Sequence, residues 1–135
     1  MSHYTRVRTK LSDATLLIAA LNEVGYPTVE VHDRPHSLYG YQGDLRPESA
    51  EVIVRRKHIG SASNDIGFAR QTDGSFEAII SDFDIRRYDR RWLDRLTQSY
   101  GHAAALRYAH DHGYEVLTDA SEKDGTRRLT LRRVS

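Results

Sequence analysis

Cysteine is absent from this 135-residue chain, and with it go disulfides, thiolate nucleophiles and cysteine-ligated metals. That absence suits a reducing compartment. Excess charge is missing too: 20 Lys and Arg face 19 Asp and Glu, a net of +1 at pH 7. No global field therefore draws the whole surface to nucleic acid or an anionic membrane, and any basic function must be local. No run of about 18 apolar residues occurs, and the amino-terminal MSHYTRVRTK lacks the apolar core of a signal peptide. A Walker loop, the dinucleotide glycine pattern and the nucleophile elbow are also missing, so neither catalytic machinery nor a cofactor is expected. What remains is the expectation of one soluble, cytoplasmic domain over 1–135, long enough to bury a core of its own.

Periodicity and punctuation outline the elements. Thr5, Val7 and Thr9 alternate with Tyr4, Arg6 and Arg8, which predicts a half-exposed strand over 3–10. Ser12 is placed as the N-cap of a helix running to Val24, with Leu11 and Leu16 as a hydrophobic staple. Leu17, Leu21 and Val24 supply its buried stripe, and Gly25 and Pro27 stop it. TVEVHD (28–33) predicts a second strand. The Gly, Pro and Ser of RPHSLYGYQGDLRPES (34–49) then predict a long loop. Unstructured loops beyond about 12 to 15 residues are uncommon in small domains and tend to be functional. AEVIVRR, DIGFARQ and FEAIISDF follow as an antiparallel meander, with TDGS as a tight turn between the last two. A second helix starts on Asp89 as N-cap and runs to His112, its stripe made by Trp92, Leu93, Leu96, Tyr100, Ala103 and Ala104. YEVLTD and TRRLTLRRV close the chain as a hairpin around EKDG. The order β-α-β-β-β-β-α-β-β predicts an α+β fold with two helices on one face of an antiparallel sheet, ferredoxin-like or related. NEVGYPTVEV and HDHGYEVLTD echo each other as helix end, Gly-Tyr and strand, which is read either as two βαβ-type halves or as repeated capping chemistry.

Several of these segments together resemble a known family. MSHYTRVRTKLSDATLLIAALNEVGY, GYQG, AEVIVRR, DIGFARQTDGSFEAIISDF and LTQSYGHAAALRYAHDHGYEV are similar, in that order, to the hypothetical chloroplast open reading frame thirty-five family of bacteria and algal plastids. The resemblance spans nearly the whole chain, and SHYT, DIGF with its DG turn, and LTQSY are its most specific parts. It implies no activity and no catalytic residue. It does imply a small partner protein, sometimes encoded near AAA-type ATPases.

Three constellations invite a functional reading. HDRPH places His32, Asp33 and His36 within five residues, but an extended chain with Pro35 suits ordinary surface histidines better than a metal shell, so no metal is expected. His102, His110 and His112 on the second helix lie too far apart or on different faces to share a ligand, and they fit a solvent or boundary face. DIRRYDRRWLDR gathers Arg86, Arg87, Arg90, Arg91 and Arg95, the residue type that grips phosphate with two parallel hydrogen bonds. Asp84, Asp89 and Asp94 are interleaved with them, and the expectation is that most of these arginines are paired. The predicted loop offers Arg34, Tyr39, Tyr41 and Arg46, residue types that anchor interfaces. The expected function is thus a noncatalytic adaptor that binds a protein partner through the loop. The alternative is an RNA or single-stranded nucleic-acid module using the arginines and loop tyrosines.

Overall fold

The computed structural model describes residues 3–134; Met1, Ser2 and Ser135 lie outside it. The elements run β1 (Tyr4–Arg8), α1 (Ala14–Glu23), β2 (Glu30–Tyr39), β3 (Leu45–Val54), β4 (Ile66–Arg70), β5 (Phe76–Ser81), α2 (Arg90–Asp111), β6 (Tyr114–Ser121) and β7 (Arg127–Arg133). A 3-10 turn at Arg56–His58 links β3 to β4. This is the predicted α+β order. Five strands form a sheet in the order β1-β5-β4-β3-β2, antiparallel at every step.

Strand alternation decides which side chains meet the helices. Val52, Val54, Ile66, Phe68, Phe76, Ala78 and Ile80 share one core with Leu17 and Leu21 of α1 and Trp92, Leu93 and Leu96 of α2. Both helices therefore cover the same sheet face. Each large side chain buried there contributes about 1.5–3 kcal/mol. Tyr88 seals the helix junction: its hydroxyl meets that of Tyr26 at 2.5 Å and its ring stands edge-on to Trp92 at 5.0 Å. Burial, seconded by that hydroxyl contact, pushes the Tyr88 phenol well above its ordinary pKa.

The helix caps show how local chemistry sets the boundaries. Asp13, not Ser12, is the N-cap of α1, its Oδ1 accepting from the Leu16 N–H at 3.0 Å. An ionised carboxylate meets the free amides and the positive end of the helix dipole, which a hydroxyl does less well. The backbone bond from Leu16 holds the Asp13 carboxyl below its usual range, with Arg107 adding to it. Asp89 caps α2 as expected, accepting from Trp92 N–H at 3.1 Å. Gly25 (φ 118°) and Gly113 (φ 72°) end the two helices in a left-handed conformation that side chains resist.

Two expectations are corrected. The stretch 34–49 is no loop: β2 continues to Tyr39, β3 begins at Leu45, and the two form one long hairpin. Pro35 sits in a register shift between Val31 and His36 on an edge strand, where a missing N–H breaks no ladder. The hairpin curls across the sheet face away from the helices, and Leu38 and Ala50 join Ile53 and Ile79 in a second, smaller core. Gly67 of β4 makes that approach feasible: a Cβ there would lie 2.8 Å from Ala50 Cβ and 3.1 Å from Leu38 Cδ2. Nor do two βαβ halves share one sheet. β6 leaves the main sheet and pairs only with β7, as a separate two-stranded sheet beside α2. The Gly-Tyr echo is thus capping chemistry at two helix ends.

Polar side chains of the second helix tie it to its neighbours. The Tyr100 hydroxyl accepts from the N–H groups of Ser12 and Asp13, tying α2 to the start of α1. The His102 side chain is only 8% exposed and bonds Asp119 of β6 at 2.8 Å. Tyr108, by contrast, is exposed and stacks on His112 at 3.9 Å.

Candidate functional site

The β2–β3 hairpin carries its aromatic residues on a clamped backbone. Tyr39 N–H donates to Asp65 Oδ2 at 2.7 Å, and Asp65 N–H donates back to the Tyr39 carbonyl at 3.0 Å. Tyr41 N–H donates to Asn64 Oδ1 at 2.9 Å, while its carbonyl accepts from Arg56 Nη2 at 2.6 Å. Gly40 N–H closes the turn onto the Asp44 carbonyl. The backbone is thus held from four directions. The side chains are not: Tyr39, Tyr41 and Leu45 are 41%, 44% and 65% exposed. Rigid aromatic groups in water are what an interface anchor requires.

Beside them opens a cleft of about 470 Å³ between Tyr39, Gly43, Glu30 and the run Arg55, Arg56 and Lys57, with Asp65 at its floor. Arg55 is the keystone. It grips Glu30 through two bonds of 2.7 and 2.8 Å, reaches Asp65 at 2.8 Å and the Ser37 carbonyl at 3.1 Å, and lies 5.4 Å from the Tyr39 ring. Those bonds from Arg55 hold Glu30 at a pKa of about 2 against the partial burial that opposes them, with His32 assisting. Arg56 donates to the carbonyls of Ser61, Ser63 and Tyr41, so it staples the β3–β4 connection to the hairpin tip. Lys57 is exposed, with no carboxylate within 4 Å among the described residues. Asp65 receives three donors, from Tyr39 N–H, Arg55 and Arg56 N–H.

A buried polar layer backs the cleft. Asn64 N–H donates to Asp84 Oδ2 at 3.0 Å, its amide reaches Ser81 Oγ at 2.9 Å, and Ser81 Oγ donates to Asp84 at 2.8 Å. Tyr4 lies nearby, its hydroxyl buried without a hydrogen-bond partner among the described residues. Burial raises its phenol far above the ordinary value, and the charges of Asp65 and Glu48 add to that. SHYT and DIGF, two segments that carry the family resemblance, thus contribute Tyr4 and Asp65 to one interior.

The residues singled out in the sequence divide between two places. Tyr39 and Tyr41 stand at the cleft. Arg34 lies exposed in the bulged part of β2, and Arg46 turns inward, 13% exposed, with Asp44 at 3.6 Å, Glu48 at 3.9 Å and the Tyr4 ring 5.9 Å away. Arg46 therefore supports the hairpin instead of presenting a contact. Arg86, Arg87, Arg90, Arg91 and Arg95 are all exposed around the start of α2, and the expected pairing fails: none has a carboxylate within 4 Å among the described residues. Glu30, Arg55, Arg56 and Asp65 were missed by sequence reasoning. The RRK that follows a buried strand and the polar SASN before DIGF were the available signals. His32 and His36 stack at 3.6 Å, and His32 Nε2 contacts Glu30 at 2.9 Å. Among the described residues no three His, Asp or Glu side chains are placed to hold a metal ion. No helix there is long and apolar enough to cross a membrane.

Comparison with known proteins places this architecture in a family without supplying an activity. A family profile described as a protein of unknown function (DUF1257) matches residues 20–130. Similar curated proteins carry the name uncharacterized protein ycf35: one from Guillardia theta is 25% identical and one from Pyropia yezoensis 23% identical, each over 98% of both chains. Another from Cyanophora paradoxa is 25% identical over the same share. No solved structure matches. The chain belongs to the DUF1257 family.

Proposed function

We propose that this DUF1257 protein is a noncatalytic adaptor that binds a protein partner through the tip of the β2–β3 hairpin and the adjoining cleft. The observation that carries the reading is pre-organisation: Tyr39 and Tyr41 are exposed on a backbone already fixed by Asp65, Asn64 and Arg56. A partner that closes over these rings orders little chain, so the ordering cost that weakens loop-mediated binding is small. Arg55 against the Tyr39 ring and the open cleft supply the pocketed, amphipathic surface on which interface energy concentrates. The family resemblance makes an AAA-type ATPase the first partner to examine.

The test begins with affinity capture on the immobilised full chain, followed by calorimetry with the purified prey, an AAA-type ATPase included. Tyr39→Ala/Tyr41→Ala is expected to weaken a specific partner at least about 30-fold, the range of hot-spot residues. Its thermal midpoint should stay near that of the wild type, because both rings are exposed. Equal affinity of the two proteins removes the hairpin tip from the account.

A further inference from the structure

We infer that Phe83 and the arginines at the start of α2 form a second binding surface whose ligand is single-stranded nucleic acid. The interleaved charges of DIRRYDRRWLDR are sorted by folding. Asp84 is buried, accepting from Asn64 N–H and Ser81 Oγ. Asp89 is committed to the α2 cap, and the neighbouring Asp82 accepts from Thr5 Oγ1 at 2.7 Å. Among the described residues only Asp94 of this segment stays uncommitted. The guanidinium groups are left without carboxylates. Arg56 and Arg70 also lack one, but they spend their donors on backbone carbonyls. The guanidinium groups of Arg86, Arg90, Arg91 and Arg95, like those of the scattered Arg8, Arg34 and Arg133, make no hydrogen bond or ion pair among the described residues, and only the former are clustered in one segment. Arg87 lies 5.4 Å from the Tyr88 ring.

Geometry gathers these groups. Arg90 and Arg91 fall on the side of α2 opposite buried Trp92, Leu93 and Leu96, and Arg95 follows within about 7.5 Å along the axis, at the edge of a groove that it lines with Glu23 and Arg127. The preceding turn is helical in its bonding, with Ile85 N–H on the Ser81 carbonyl and Tyr88 N–H on that of Asp84, both at 2.9 Å. At that spacing Arg86 and Arg87 stand three and four residues beyond Phe83, on its side of the turn.

Phe83 is the independent observation. It is 61% exposed, yet its backbone is anchored on both sides, by Asp82 N–H on the His3 carbonyl at 2.7 Å and by buried Asp84. Among the described residues the phenyl ring belongs to neither apolar core. With Arg86 and Arg87 on its side of the turn and Arg90 and Arg91 just beyond, it matches a platform for an unstacked base whose phosphates the arginines grip. An acidic peptide would use the charges but not the ring.

Fluorescence anisotropy with a fluorescein-labelled oligothymidylate of about twenty nucleotides tests the assignment. Five phosphate contacts predict that affinity falls about a hundredfold between about 50 and 200 mM salt. Arg90→Glu/Arg91→Glu should abolish binding at the higher salt and flatten the salt dependence at the lower. Phe83→Ala should weaken binding by about fivefold or more with the salt slope unchanged, since stacking releases no ions. Tyr39→Ala/Tyr41→Ala should bind the oligonucleotide as the wild type does, which keeps this surface separable from the adaptor reading. Poly-glutamate should compete poorly. Equal competition by poly-glutamate at matched charge, or an unchanged affinity in Phe83→Ala, would overturn the nucleic-acid assignment and leave a surface for acidic protein. No binding tighter than about 100 μM at 50 mM salt would overturn it altogether.

Discussion

The protein contains two long antiparallel hairpins that folding treats in opposite ways. β2–β3 curls over the main sheet, places Leu38 and Ala50 in a core of their own, and is held by Asp65, a carboxylate only 1% exposed. β6–β7 stands beside α2, with every residue of both strands at least partly accessible and a groove of about 420 Å³ left between hairpin and helix. Its polar ties are fewer and less buried: Asp119, 36% exposed, bonds His102, Arg127 pairs with Glu23 of α1, and Arg132 pairs with Glu115 within the hairpin. The same topology is thus secured once by burial and once by more exposed contacts. The difference matters for function, because the hairpin with buried anchors can present side chains without moving, whereas the other can separate from α2 at low cost.

Matched carboxylate deletions should expose this contrast most strongly. Asp65→Ala strips an acceptor from Tyr39 N–H, Arg56 N–H and Arg55, leaving two backbone amides without their partner while Arg55 keeps Glu30 and the Ser37 carbonyl. The expected cost is about 3 kcal/mol, read as a lowered denaturation midpoint. Asp119→Ala removes a partner that is 36% exposed from His102, and water can replace it. Its cost should stay below about 1 kcal/mol. Equal losses in the two variants would show that the hairpins are anchored alike.

How far the sequence foretold this arrangement depends on what each cue measures. Period and capping residues measure local geometry, and they predicted the element order, the Asp89 cap and the glycine stops correctly. They misjudged 34–49, because Gly and Pro mark a loop, a tight turn or a bulged edge strand with equal force, and only the cover over Gly67 distinguishes them. Charge alternation misled in the same way. Arginines and aspartates adjacent in the chain suggested mutual pairing, but Asp84 points into the interior and Asp89 into the helix end. For the candidate site, Tyr39 and Tyr41 were legible as residue types suited to an interface. Arg55 and Asp65 were not, since their partnership joins residues ten apart across a connection whose path no local pattern records.

A pH titration sharpens the account of the pinned hairpin. The Glu30 pKa is depressed from 4.5 to about 2, chiefly by its bonds from Arg55. Its stabilising contribution is therefore complete above the unfolded value near 4.5 and is lost as the pH falls toward about 2. Glu30 is 39% exposed, so solvent screening reduces that contribution to about 1 kcal/mol. Glu30→Gln should be less stable than the wild type by that amount at pH 7, and the gap should close between pH 4.5 and 2. Urea midpoints across the range provide the measurement, and stability curves that stay parallel down to pH 2 would exclude the Glu30 pair as the titrating element.

The smallest effect concerns how β6–β7 opens. A two-stranded hairpin is marginal in water on its own, and this one rests on the helices through partly buried Leu129 and Leu131, the bridge from Arg127 to Glu23 of α1 and the contact of Asp119 with His102 of α2. Raising salt from about 0.1 to 1 M shortens the Debye length from about 10 to 3 Å, which weakens such pairs while leaving apolar burial intact. Amide hydrogen exchange of Val116, Leu129 and Leu131 should therefore speed up by a few fold in high salt and show little denaturant dependence, the mark of local opening. The amides of Val52, Phe68 and Ile79, in the central strands, should exchange only through global unfolding and should not respond in this way. Arg127→Ala should reproduce the salt effect on β6–β7 by itself, since it removes the bridge to Glu23. If the terminal hairpin and the central strands instead exchange with one common free energy, β6–β7 is as firmly built into the fold as β2–β3 and the contrast between them falls.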